Sequence, residues 1–172
     1  MDNDAALRPL PLPPAEFAAT LPQLTAYGCY FIRDHQGWPI QLHSVFTGTG
    51  WQWPGGNMDP GEDPLQTARR EAREELGFDL PASPRLLAVF YSHPRGGWPT
   101  PKVGFCFDGG LLTPAQQDAI RLDPEEHSHW EAHPMNEWKN RVSPFVYARL
   151  AATEEAARTG TTPLLVRDGG TP

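Results

Sequence analysis

The sequence predicts a mixed α/β fold, because strand-like apolar segments lie before and after one strongly capped central helix, and further helical stretches follow toward the C-terminal end. A length of 172 residues allows one domain with a sizeable core. An apolar fraction of 39%, with 20 Pro and 16 Gly, describes a loop-rich globular chain rather than a disordered one. No internal repeat is present.

Residues 1–22 carry Pro9, Pro11, Pro13, Pro14 and Pro22 and read as an extended arm, on the surface or partly disordered. A single domain is expected over 23–166, followed by a short tail over 167–172. Segments 25–33 and 39–46 are rich in aromatic and β-branched residues and predict the first strands. Trp51 and Trp53, two apart, would leave a strand on the same side. The central helix is predicted over 64–76: Asp63 is a good N-cap, Pro64 suits the first helical position, Gln66 completes a capping box, and Gly77 can stop the helix in the left-handed region. Strands are then expected at 84–92, 102–108 and 127–132, with Arg95-Gly96-Gly97-Trp98 at a hairpin tip. Helices are expected at 113–120, 134–138 and 143–158.

On the central helix, Leu65, Ala68, Ala72 and Leu76 form a narrow apolar stripe, and Glu71, Glu74 and Glu75 form an anionic stripe beside it. An ordinary solvated helix face pairs Glu with Lys or Arg at i,i+4. Here Glu71 stands i,i+3 and i,i+4 from two other glutamates, Arg69 stands i,i+4 from Arg73, and only Arg70 with Glu74 is complementary. Carboxylates held this close resist ionisation unless a cation is bound. All-oxygen ligation is the chemistry of Mg²⁺ or Mn²⁺ rather than of zinc.

The run from Gly56 through Glu62, Arg70-Glu71, Glu74-Glu75 and Gly77 to Phe78 resembles the signature of the Nudix hydrolase superfamily, Gly-x5-Glu-x7-Arg-Glu-U-x-Glu-Glu-x-Gly-U, where U is bulky and aliphatic. Ala72 and Phe78 at the two U positions depart from the pattern in packing rather than ligation. The resemblance implies a Nudix-like α/β/α sandwich with a central mixed β-sheet, and a loop-helix-loop that holds Mg²⁺ or Mn²⁺ against a diphosphate. It implies metal ligation by Glu71, Glu74, Glu75 and the main-chain carbonyl of Gly56, with Arg70 and Glu62 bracing the site from behind. Relatives take their general base either from a box glutamate or from a distant loop, and both alternatives stay open. Glu126, in Asp123-Pro124-Glu125-Glu126 ahead of Trp130, resembles the extra metal-binding or basic glutamate of such loops; its other reading is an exposed acidic turn.

The alternation of His127 and His129, with His133 beyond them, suits one face of a sheet rather than a tetrahedral zinc site. Trp98 with Tyr91 or Phe90, or one of Trp51 and Trp53, is a candidate base-stacking surface, set against the commoner use of such aromatics in packing. Pro94 follows Phe78 by 16 residues, as in some ADP-ribose-type relatives, but 20 prolines make that spacing uninformative.

A formal charge of −7 offers no broad basic surface, so a small nucleotide-like diphosphate is expected as partner rather than a nucleic-acid polymer. No apolar run approaches the ~18 residues of a membrane span, and the acidic start Met1-Asp2-Asn3-Asp4 is unlike a signal peptide, so a cytoplasmic protein is expected. Cys29 and Cys106, each in an apolar strand, read as free buried thiols rather than a disulfide or metal pair. The resemblance allows a homodimer. The expected activity is Mg²⁺-dependent hydrolysis of a diphosphate linkage in a small nucleoside diphosphate derivative, either a nucleoside triphosphate or a nucleotide sugar such as ADP-ribose. The alternative is a catalytically silent nucleotide-binding sensor, and an isomerase is disfavoured because neither cysteine sits in a catalytic motif.

Overall fold

A computed structural model describes residues 11–46, 50–94 and 97–167. The start of the expected arm, Arg95 and Gly96 of the expected hairpin tip and the last five residues of the expected tail lie outside the described residues.

In chain order the elements are α1 (Pro14–Ala19), β1 (Thr25–Arg33), β2 (Ile40–Ser44), β3 (Trp51–Gln52), β4 (Gly55–Asn57), α2 (Pro64–Leu76), β5 (Leu86–Ser92), β6 (Lys102–Leu111), α3 (Pro114–Asp118), β7 (His127–Ala132), α4 (Met135–Arg141), α5 (Pro144–Thr159) and β8 (Leu164–Arg167). A mixed five-stranded sheet runs in the order β4-β1-β6-β5-β8, and an antiparallel three-stranded sheet runs β3-β2-β7. In the larger sheet β1 is parallel to β6 and β5 to β8, while β4 and β5 run antiparallel to β1 and β6.

β1 is buried along most of its length because both of its faces carry a core. Its alternation sends Tyr30 and Ile32 to one side, against Ala68, Ala72 and Leu76 of α2. Cys29 and Phe31 go to the other side, against Trp138 of α4 and Leu150 and Ala156 of α5. Helices therefore cover both faces of the central mixed sheet, the expected α/β/α sandwich. Cys29 and Cys106 are register partners on β1 and β6, and both are free and buried.

The central helix keeps its predicted bounds, and its caps are those read from the residue types. Asp63 accepts from the backbone N–H groups of Leu65 (2.8 Å) and Gln66 (2.9 Å), and the Gln66 side chain accepts from Asp63 N–H (2.8 Å). Gly77 closes the helix at φ 84°. Three elements depart from expectation. α1 is a short helix inside the expected extended arm, with Pro14 in its first turn and no buried residue. β4 and β8 are strands where none was predicted: Gly-Gly-Asn of β4 has no strand propensity and becomes a strand by pairing with β1, and the short, mostly apolar run Leu164–Arg167 of β8 pairs with β5. No helix among the described residues is long and apolar enough to cross a membrane.

Candidate active site

Helix α2 lies on the sheet where β1 has no side chain. A Cβ on Gly28 would overlap the Pro64 carbonyl oxygen and stand 3.0 Å from Ala68 N, so the first turns of α2 rest directly on the strand. The small size of the Gly55-Gly56 pair lets β4 pack closely: a Cβ on Gly55 would collide with Cys29 of β1, and one on Gly56 with the Glu71 carboxylate. Gly55 also adopts φ 152°, which favours glycine.

The three box glutamates are not equivalent. At about 100° per residue, Glu75, Glu71 and Glu74 stand roughly 60°, 100° and 160° from Ala72, whose side chain points at the sheet. Their exposure follows that order: the side chains of Glu75, Glu71 and Glu74 are 3%, 13% and 56% exposed. Glu75 accepts the Gly55 backbone N–H at 2.7 Å. Burial pushes its carboxyl up to about 9 against that hydrogen bond, with Glu71 and Glu126 adding repulsion. Glu71 is raised as well, again mainly by burial.

Arg70 is the hub that orders this face. Its Nε and Nη2 donate to the two Glu62 oxygens (2.9 and 3.1 Å), its Nη1 donates to Glu71 (2.8 Å) and Glu74 (3.0 Å), and Nη2 also reaches the Asn57 carbonyl (3.2 Å). The bidentate pairing, with Asp59 N–H and the Thr67 hydroxyl also donating, lowers Glu62 to about 2.

Glu126 arrives from the turn before β7. Asp123 O accepts from Glu126 N–H (3.1 Å) and His127 N–H (2.8 Å), and Glu126 O accepts from Val45 N–H (2.9 Å) at the end of β2. The turn thus carries Glu126 to Glu75: one ligand atom each from Glu75, Glu126 and His127 lie within 4.8 Å of one another. His127 had been read together with His129 as one sheet face, and the structure separates them. The β2–β7 register shifts between His43 and Ser44, a bulge that turns the ring of His127 inward, while His129 stacks on His43 with centroids 5.0 Å apart. His127 is 2% exposed, Gln52 Nε2 lies 2.8 Å from its Nε2, and its Nδ1 stands 3.6 Å from Glu75 Oε1 with no hydrogen-bond partner among the described residues. Burial lowers the pKa of this ring, so with Glu75 raised the pair is not an ion pair at neutral pH.

Gly55 also borders a recess of about 530 Å³ that sequence reading did not foresee as a unit. Trp53 and Trp98 line it, with Tyr27, Lys102 and Arg149. Arg149 lies over Trp53, 4.3 Å from the ring centre, and Lys102 over Trp98 at 3.8 Å. Neither cation forms an ion pair among the described residues, and burial lowers Lys102. Of the expected stacking aromatics, Trp53 and Trp98 line this recess, Phe90 is buried against Trp53, and Trp51 packs on Trp138. Nothing local marked Lys102 or Arg149, which come from β6 and α5.

The raised Glu75 carboxyl makes stability depend on pH. In the unfolded chain it ionises near 4.5 and in the native protein near 9, so between those values the native state holds more protons and stability falls as pH rises. Without divalent cations, the stability of the wild type relative to Glu75→Gln is expected to fall from pH 5 to pH 9, by at most about 1.4 kcal/mol per unit. Urea denaturation of both proteins in chelator measures it, and parallel profiles would contradict the assignment.

Comparisons with known proteins give a consistent picture. A family model described as NUDIX domain matches residues 22–151. The chain is 30% identical over 127 residues to an RNA pyrophosphohydrolase of Brucella abortus, covering 60% of this chain and 67% of that protein. It is similar in fold to a MutT protein from Methanosarcina mazei (TM-score 0.63, 19% identity, 81% of this chain and 97% of that one). The Ap4A hydrolase of C. elegans is likewise similar in fold (TM-score 0.63, 21% identity, 80% and 99%).

Proposed function

Because the chain belongs to the NUDIX domain family, we propose that it is a Mg²⁺- or Mn²⁺-dependent hydrolase that cleaves a diphosphate linkage in a small nucleoside diphosphate derivative. The observation that carries this reading is the buried Glu75, gathered with Glu126 and His127 beside a cation-bearing recess. The donors fit a divalent cation: carboxyls raised by burial, with repulsion from neighbouring carboxylates adding to it, gain their charge when a cation arrives. Glu71, Glu74, Glu75, the Gly56 carbonyl and Glu126 would hold it. Once bound, such a cation supplies Lewis-acid stabilisation of charge developing on the phosphate oxygens.

The protein's own groups do the rest. Glu62 fixes Arg70, Arg70 fixes Glu71 and Glu74, and Gly55 N–H fixes Glu75, so the carboxylates are set before substrate arrives. A water forms a new P–O bond as the bridging P–O bond breaks, and its proton passes to one of these carboxylates. In the recess, the exposed Trp98 ring is available to a base, Trp53 backs Arg149, and Lys102 and Arg149 offer charge to phosphate oxygens. Arg149→Ala is therefore expected to raise KM at least tenfold with kcat changed less than threefold, in steady-state kinetics on the preferred nucleotide; an unchanged KM would remove the recess from substrate binding.

The reading is tested by incubating the protein with Mg²⁺ or Mn²⁺ and a panel of nucleoside triphosphates, dinucleoside polyphosphates and nucleotide sugars, and identifying the released phosphate, pyrophosphate or nucleoside monophosphate. Turnover of at least one small compound is expected. The panel includes a 5′-triphosphorylated oligoribonucleotide, because the Brucella relative is named for RNA. The charge of −7 favours the small nucleotide, and a higher kcat/KM on the oligonucleotide would reverse that choice. Tight binding without turnover would favour the silent sensor.

A further inference from the structure

The box carboxylates describe an all-oxygen site, but the side chain that completes the innermost group is a nitrogen donor. His127 is buried, with 1% of its side chain exposed. Nε2 has the Gln52 amide at 2.8 Å, whereas Nδ1 has no hydrogen-bond partner among the described residues and faces Glu75 Oε1 at 3.6 Å. An orphaned ring nitrogen in a buried site is costly unless something binds it. A direct hydrogen bond to Glu75 would close the gap, yet Glu75 is already held from the other side by Gly55 N–H. The ligand atoms of Glu75, Glu126 and His127 lie within 4.8 Å of one another, a spacing one ion can span.

We propose that His127 Nδ1 is a nitrogen ligand, with Glu75 and Glu126, in a mixed N/O site that takes a first-row transition dication such as Mn²⁺ or Co²⁺ in preference to Mg²⁺. Ligation requires the tautomer with the proton on Nε2. Gln52 supplies the acceptor when its side-chain amide is turned so that the oxygen rather than the NH₂ faces the ring; Nε2–H then donates to it and Nδ1 presents its lone pair to the ion. The preference follows from donor type. Imidazole nitrogen binds first-row transition ions well, whereas Mg²⁺ holds to oxygen and to its waters. The sequence hid this site because His127 read as one of a row of strand histidines, and only the bulge opposite His43 turns its ring inward.

The inference rests on the carboxylate site binding a divalent cation, as in the function proposed above, but its test does not need turnover. Mn²⁺ is bound to the intact protein and examined by pulsed EPR for coupling to ¹⁴N, and Mn²⁺ and Mg²⁺ dissociation constants are measured by calorimetry. Wild type is expected to show imidazole ¹⁴N coupling. His127→Gln is expected to lose it and to reduce the Mn²⁺/Mg²⁺ affinity ratio at least tenfold. Bound Mn²⁺ without ¹⁴N coupling in wild type overturns the proposal even if the variant fails to fold. Coupling that survives in folded His127→Gln, or an unchanged affinity ratio, overturns it as well. Absence of hydrolysis with ¹⁴N coupling intact would sink the proposed activity and leave the nitrogen ligand standing.

Discussion

Glu75→Gln is expected to lower kcat/KM about a thousandfold, on the order of 4 kcal/mol of transition-state stabilisation, while leaving the protein folded. The glutamine keeps an oxygen for the Gly55 N–H and nearly the same volume in a site only 2% exposed. In the cation-free protein at pH 7 the native carboxyl, pushed up to about 9, already carries a proton, so the amide resembles the resting state and costs the fold little. The charge that a cation would call out is what disappears. Steady-state rates and a thermal melt on the same preparation measure both halves, and a rate within tenfold of wild type would remove Glu75 from the chemistry. Glu74→Gln should cost less, because Glu74 is more than half exposed and held by Arg70 at 3.0 Å.

Gly28→Ala is the substitution expected to damage the fold most. The added Cβ meets backbone, the Pro64 carbonyl oxygen and Ala68 N, and neither can move without lifting the start of α2 from β1. Overpacking typically costs about 1–3 kcal/mol, and a clash with backbone that cannot move belongs at the upper end of that range. Displacement of α2 would carry Glu71 and Glu75 away from Gly55 and Gly56, so activity should fall with stability. Urea denaturation checks the first effect, and a loss below 1 kcal/mol would mean that α2 does not rest on Gly28 as described.

Local chemistry was readable from the chain. Asp63, Pro64, Gln66 and Gly77 set the limits of α2 because caps act within a few residues, and the Glu71, Glu74, Glu75 stripe followed from helical angle alone. Their ranking is implicit in their angles to the apolar stripe, but the groups that face Glu75, Gly55 N–H and His127, come from other elements and could not be read from the helix. His127 was misplaced because period-two alternation holds only while register holds, and the β2–β7 bulge breaks it. β4 has little strand character of its own and exists through β1, whereas β8 is a short, mostly apolar run that the helical reading of its neighbourhood passed over and that pairs with β5. Arg149 and Lys102 carried no local mark, because α5 and β6 meet only in the folded chain at the recess. The recess was therefore the least legible part, whereas the box carboxylates were written into one window.

The most direct test of the account is cation dependence of product release. The protein is stripped with chelator, given the nucleotide it cleaves best, and assayed as free Mg²⁺ or Mn²⁺ is raised from zero. The carboxylate site predicts no turnover in chelator and a saturable return as the cation is restored. Turnover that persists undiminished in excess chelator would contradict it.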